Sequence, residues 1–223
     1  MSAQADDLLT NIGEDTFTKE AYFPTLIFST KVPNPEALNR HLLQQIRTIH
    51  NQDEEGIFRS NFRGLGGWHS KNFLHQQPAF DPLTQRIHQA GRRISETLGY
   101  DHRKTLKVTT MWSIINPPGS SNKVHDHPGC YWSGVYYIQT PENAGDIEFT
   151  DPRTVHIMNQ PSFKPDQKRS QENWTKVRFV PRPGKMIIFP SWLYHGVDPN
   201  LCEQQGADAD RVIISFNLSQ VKA

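Results

Sequence analysis

The stretch Asn122-Lys-Val-His-Asp-His-Pro-Gly-Cys-Tyr-Trp-Ser-Gly-Val-Tyr-Tyr-Ile138 constrains this chain more than any other. After the Pro128-Gly129 break, Ser133 to Ile138 is β-branched and aromatic, the composition of a strand. The first half carries His125 and His127, one residue apart. In an extended chain, side chains at i and i+2 leave by the same face, so the two imidazoles point the same way. Two ring nitrogens so placed suit a borderline divalent metal such as Fe, Zn, Cu or Ni. A histidine pair alone is a weak signal, and partly exposed turn residues are its plainer reading. Asp126 neighbours His125, so pleating turns it away. It reads as a turn former or a supporting group, unless Pro128 distorts the strand and brings it inward.

Two later features sharpen the pattern. His195 lies just past the apolar run Met186-Ile-Ile-Phe189, where a strand would end. Arg211 opens Arg211-Val-Ile-Ile-Ser-Phe-Asn217, a further strand. Histidine pair, distant histidine and late arginine in that order favour a three-histidine metal site. The plainer reading of His195 is a structural histidine beside Trp192 and Tyr194. That of Arg211 is a surface ion pair with Asp208 or Asp210.

The remaining elements follow from periodicity. Residues 1–16 are polar and read as frayed. Residues 21–31 read as a strand, with Pro24 marking an edge or a strand start. Residues 35–50 read as a helix capped by Asn34, with Pro35 in its first turn and Leu38, Leu42, Ile46 and Ile49 on one stripe. A second helix is expected over 81–98, capped by Asp81, with Leu83, Ile87, Ala90, Ile94 and Leu98 buried. Between them, 52–68 is polar, glycine-rich and irregular. From 105 the period becomes two, and over 106–116 Trp112, Ile114 and Asn116 share one face while Met111, Ser113 and Ile115 share the other. Short strands are expected at 145–149, 176–180, 186–189 and 211–218. The polar insertion 154–175 is long enough to serve as a lid over a substrate, with His156 inside it. The expected division is an N-terminal helix-and-strand extension, 1–104, packed on a β core, 105–223.

Composition excludes several classes. In 223 residues the formal charge is +1, which gives no electrostatic case for nucleic acid or an anionic membrane. The 16 prolines and 14 glycines favour a loop-rich β architecture over a helical bundle. No apolar run approaches the ~18 residues of a transmembrane helix. The first residues lack the basic and apolar regions of a signal peptide. Two cysteines, Cys130 and Cys202, make no disulfide framework, so a reducing, cytoplasmic setting is expected.

The residues His125, His127, Tyr136-Tyr137-Ile138, Gly145 to Phe149, His195 and Arg211 to Ser215 resemble the 2OG-Fe(II) oxygenases. Within that family they are similar to the group with an HxH-Pro…Ser-Gly-Val-Tyr-Tyr segment and to the prolyl-hydroxylase branch. The resemblance covers 107–221. It implies a mainly β fold, a double-stranded β-helix (a cupin-like jelly roll) with the N-terminal helices packed on the barrel. It also implies Fe(II) held by His125, His127 and His195, with 2-oxoglutarate as cosubstrate. Arg211 would bind the far carboxylate, with Tyr137 and Ser215 adding hydroxyls, and Asn116, Asn122 and Trp112 lining the pocket. The implied reaction consumes O2, hydroxylates an unidentified prime substrate, and releases succinate and CO2.

Most relatives use His-x-Asp or His-x-Glu, so a third imidazole here is a departure. Three neutral rings leave a divalent metal its full charge, which dianionic 2-oxoglutarate then cancels. With His127 in place, nothing is vacant for a halide as halogenating relatives require. Two rival readings stand beside this one. A three-histidine cupin-type dioxygenase would bind substrate on iron without 2-oxoglutarate. A non-enzymatic jelly-roll module would instead bind carbohydrate through Tyr131, Trp132 and Trp192. The sequence leaves the prime substrate open, and homodimerisation through the N-terminal strand or helices as well.

Overall fold

The structure is a computed structural model that describes residues 18–60 and 67–222. The reading of 1–16 as frayed and the glycines at 64 and 66 lie outside the described residues. The fold is mainly β, two antiparallel sheets with few helices. One sheet runs β1 (Phe28–Lys31), β8 (Lys185–Pro190), β5 (Trp132–Gln139), β10 (Arg211–Lys222), β3 (Lys104–Asn116) and β2 (Trp68–His69), in that order. The other runs β4 (Asn122–His125), β9 (His195–Val197), β6 (Ile147–Thr150) and β7 (Lys176–Phe179). From β3 onward the chain crosses between the sheets after nearly every strand. Among the described residues, no helix is long and apolar enough to cross a membrane.

Strict alternation along the long strands makes two apolar layers. On β10, Val212, Ile214, Phe216 and Leu218 face one way and Arg211, Ile213 and Ser215 the other. On β5, Trp132, Tyr136 and Ile138 join the first set, and Val135 and Tyr137 the second. The first layer packs under two helices, α1 (Glu36–Asn51) and α3 (Asp81–Thr97), which bury Leu42, Ile46, Leu83, Ile87 and Ile94. The second lies between the sheets. The division expected on β3 holds, with Trp112 and Ile114 inside and Met111 and Ile115 under the helices. A short helix, α2 (Gly56–Arg59), precedes β2, and α4 (Thr154–Met158) lies in the 154–175 insertion.

Helix α1 is fastened as well as packed. Asn39, buried on its inner face, donates from Nδ2 to the Ile138 carbonyl at 3.0 Å. Its Oδ1 accepts from the Tyr136 hydroxyl at 2.6 Å. Tyr136 is therefore a core residue, as its facing on the strand implies.

Three expectations need correction. The strand read over 21–31 is only Phe28–Lys31, because Phe23 turns left-handed at φ +58° and Pro24 follows it. What remains pairs with β8 at a sheet edge. Asn34 does not cap α1. It sits at φ +45° in the turn after β1, the cap position falls to Pro35, and no side chain caps the helix. In α3 the cap position is Phe80, which moves Asp81 into the first turn, where its charge suits the helix dipole.

Gly134, in the middle of β5, is required by crowding. A Cβ there would collide with the Phe216 ring and lie 2.8 Å from the Ile187 carbonyl oxygen. Gly134→Ala should therefore cost about 1–3 kcal/mol, the usual penalty of an overpacked core. A denaturation midpoint unchanged from that of the parent protein would contradict this.

Candidate active site

Strand pairing explains how residues 70 positions apart come together. His125, the last residue of β4, lies directly opposite His195, the first of β9. Directly opposed residues put their Cβ atoms about 5 Å apart on one face, and here the ring centroids are 4.4 Å apart. His127 is beyond the end of β4 and is no longer in a strand. Its backbone N–H still donates to the Ser191 carbonyl at 2.9 Å, so the chain stays extended and returns the ring to the same side. The His127 centroid is 5.0 Å from that of His125 and 5.2 Å from that of His195. One nitrogen from each ring falls within 4.8 Å of the others, a spacing that can hold a metal ion.

The tautomers suit that use. Nδ1 of His125 is 2.6 Å from the Lys123 carbonyl oxygen, and Nδ1 of His195 is 2.9 Å from that of Leu193. A carbonyl can only accept, so both Nδ1 atoms carry the proton and each Nε2 offers its lone pair inward. Nε2 of His195 lies 3.3 Å from Nε2 of His127. Burial lowers the His127 pKa to about 4 and the His195 pKa to about 3, with the His125 ring adding to both shifts. Both rings are therefore neutral at pH 7, the form in which imidazole binds a metal. Such a donor set fits a borderline divalent ion such as Fe(II). Asp126 is exposed and stands outside the group.

The same cavity holds Arg211. It is 1 % exposed. Nη1 donates to the carbonyl oxygens of Ala144 and Asp198, the latter at 3.0 Å. Its Nε and Nη2 have no hydrogen-bond partner among the described residues. Burial lowers its pKa to about 10, which leaves it charged at pH 7. The surface ion pair with Asp208 or Asp210 is thus overturned: Asp210 pairs with Arg47 at 2.7 Å, and Arg211 points inward. A buried cation with two unused donors needs an anion. Gly145 lets the guanidinium come this close. It has φ +84°, and a Cβ there would meet Nη1 at 2.8 Å.

The other residues singled out from the sequence fall as follows. Tyr137 and Ser215 line the cavity with Arg211 and the three histidines, and burial pushes the Tyr137 phenol pKa upward. Trp112 and Asn122 line it too. Asn116 does not. It stands behind Asn122, donating from Nδ2 to its Oδ1 at 2.8 Å. The rest of the wall is apolar, with Ile114, Val135, Ile147, Phe189, Val197 and Ile213. His69, to which the sequence pattern draws no attention, is part of this wall and stacks on Trp112 at 5.6 Å and 14°. Its signal was faint, since a two-residue strand after a glycine-rich stretch has no readable period. No residue of the 154–175 insertion lines this cavity. The insertion instead walls a second cleft with residues 21–27, and His156 faces Asp151 at 3.7 Å. Trp132, offered for carbohydrate stacking, is buried against Phe28.

Comparison with known proteins adds an independent line. Residues 110–217 match the model of a family described as "Putative 2OG-Fe(II) oxygenase". The fold is similar to that of a Pseudomonas putida prolyl-4-hydroxylase, at 16% identity over 86% of this chain and 92% of that one, with a TM-score of 0.58. It is also similar to the epimerase SnoN from nogalamycin biosynthesis in complex with Fe3+, alpha ketoglutarate and nogalamycin RO. That match has 13% identity, 89% and 81% coverage and a TM-score of 0.60. A third is HygX from Streptomyces hygroscopicus with nickel and 2-oxoglutarate bound, at 12% identity, 87% and 83% coverage and a TM-score of 0.53. No curated protein matches the sequence at a significant level. Identities this low speak to fold.

Proposed function

We propose that this chain, whose residues 110–217 match the model of a family of 2OG-Fe(II) oxygenases, hydroxylates a prime substrate at the expense of O2 and 2-oxoglutarate. The observation that carries the reading is one cavity with three converging histidines and a buried arginine whose Nε and Nη2 are unclaimed. His125, His127 and His195 hold Fe(II). Arg211 takes the far carboxylate of 2-oxoglutarate, and Tyr137, beside it, adds its hydroxyl. Bound there, iron supplies the activation of O2 that couples decarboxylation of the 2-oxo acid to succinate and CO2 with oxidation of a substrate C–H bond.

The chain's own residues do the rest. The Lys123 and Leu193 carbonyls keep His125 and His195 in the ligating tautomer. The apolar wall keeps water from the reacting centre. Ser215 is four residues along β10 from Arg211, about 13 Å at the rise of a strand. It pairs with Trp112 and Val135, whereas Tyr137 pairs with Ile213, so its hydroxyl enters the cavity two residues further along β10 than the level of Tyr137. Asn116 acts through Asn122, whose side chain it orients.

On this reading the strands β3, β10, β5 and β8 and the strands β4, β9, β6 and β7 are the two halves of a double-stranded β-helix, closed around the site. Residues 105–223 are the catalytic core. Residues 1–104 are an extension whose described part adds an edge strand to each side of the larger sheet and helices to its outer face.

The test is anaerobic addition of Fe(II) and 2-oxoglutarate. A weak metal-to-ligand charge-transfer band is expected, followed by succinate release on admitting air. Lack of both would reject the proposal. Oxygen uptake independent of 2-oxoglutarate would favour the cupin-type dioxygenase.

A further inference from the structure

The histidine cluster and the groups about Arg211 account for most of the polar lining of the cavity. His69 lines it too, and nothing in the function proposed above uses it. It comes from β2, which joins the larger sheet along β3 with His69 opposite Ile114. Paired residues share a face, so His69 leaves by the cavity side with Ile114, while Trp68 is buried under the helices. Strand β3 separates β2 from β10. At about 4.8 Å per strand, His69 stands about 10 Å to the side of the row that carries Arg211 and Ser215. That flank is clear of the anion site and is left for the other reactant.

The presentation of His69 is fixed. The Ser70 N–H donates to the Ser113 carbonyl at 2.9 Å, and the Ser113 N–H to the Ser70 hydroxyl oxygen at 2.9 Å. Arg59, at the end of α2, donates from Nε to the His69 carbonyl at 3.1 Å, and the ring lies flat on Trp112. Nδ1 of His69 is 2.6 Å from the Ser70 carbonyl oxygen, so Nδ1 carries the proton and Nε2, at the tip of the side chain, keeps its lone pair. Nε2 has no hydrogen-bond partner among the described residues, and the side chain is only partly buried. Burial, aided by the charge of Arg59, lowers the pKa of the ring, which is therefore neutral at pH 7.

We propose that Nε2 of His69 is the hydrogen-bond acceptor for the prime substrate, and that this substrate is an uncharged, largely apolar molecule carrying a hydroxyl or an amide N–H. This deepens the function proposed above and rests on it. An unprotonated ring nitrogen takes only a donor. No carboxylate among the described residues lines the cavity, so a cationic substrate would be buried there without a partner. An anionic one would compete with the cosubstrate for Arg211. The rest of the wall is apolar, which suits a hydrocarbon body oriented by one polar contact.

The experiment uses the full chain with isotopically labelled histidine nitrogens, loaded with Zn(II) and 2-oxoglutarate so that no turnover occurs. The probes are cyclohexanol and cyclohexanecarboxamide, each beside a counterpart fully methylated on its oxygen or nitrogen, which keeps the apolar body and lacks the donor. The His69 Nε2 resonance, identified by its loss in His69→Phe, should move on adding either donor probe and stay in place with the methylated ones. His69→Phe keeps a ring to stack on Trp112. By calorimetric titration it should bind the donor probes about fivefold more weakly, the worth of one neutral hydrogen bond, with Zn(II) and 2-oxoglutarate affinities unchanged. His69→Gln, which restores an acceptor near the position of Nε2, should recover most of the loss, as a merely structural role for the ring would not. The inference is overturned if neither donor probe moves the Nε2 resonance, if the methylated probes move it equally, or if His69→Phe binds the donor probes as the parent does. A parent protein that takes up Zn(II) but not 2-oxoglutarate would sink the proposed function itself, and this inference with it.

Discussion

Arg211→Met is expected to abolish useful 2-oxoglutarate binding while leaving the metal in place. The guanidinium offers Nε and Nη2, both buried and both without an internal partner. A carboxylate set against them gains two charge-assisted hydrogen bonds in a water-poor site. At about 1.5–3 kcal/mol each, their loss should raise the dissociation constant at least about 100-fold. Methionine fills a similar volume and removes a buried charge, so the fold should survive, and replacing buried ions by apolar residues is often neutral or better. Titration of 2-oxoglutarate into metal-loaded protein, with a denaturation curve beside it, checks both halves. Arg211→Lys keeps the charge but not the fork and should fall between the parent and the methionine variant. Normal 2-oxoglutarate affinity in Arg211→Met would remove the anion site from this reading.

His127→Ala and His195→Ala should each release the metal, and Asp126→Ala should not. This comparison decides the departure from the His-x-Asp pattern directly. Losing an outer partner of a metal ligand costs ~10–100-fold in affinity, so losing a ligand should cost at least about 100-fold. Asp126 is exposed and stands outside the nitrogen cluster, so its removal should change affinity little. Equilibrium dialysis against Fe(II) or Co(II) measures all three. A metal lost in Asp126→Ala and retained in His127→Ala would mean that the strand twists at Pro128 and that the carboxylate ligates after all. His195→Ala should also lower stability, since its ring is buried within 4.5 Å of the Phe189 ring and 5.8 Å of the Phe149 ring.

The candidate site divides by how each residue reaches it. His125 and His127 were legible because they share one extended segment, where spacing alone decides facing. Tyr137 and Ser215 were singled out through the family resemblance, and both line the cavity. Arg211 was ambiguous in sequence between the cavity and an ion pair with its neighbour. The structure answers it: Asp210 pairs with Arg47 on the outer face, and Arg211 is buried facing the cavity. His69 was missed because its place depends on a two-residue pairing with β3, and so short a strand has no pattern of its own. The 154–175 insertion was legible as an insertion but not in its position, since polar segments carry no period that says what they lie against.

By itself the sequence determined what local geometry controls: the strands and their inner and outer faces, two amphipathic helices, and the types of side chain those faces present. These follow from side-chain alternation and chain stereochemistry, which neighbouring residues set. Only the tertiary structure decided which of those groups meet. The pairing of β4 with β9 brings His195 to His125, and the strand β2 carries His69 to Trp112. On the other side of β10, α1 meets Asp210 through Arg47. Such choices turn on contacts between residues far apart in the chain, where burial, charge pairing and strand register compete, and no local pattern records the outcome.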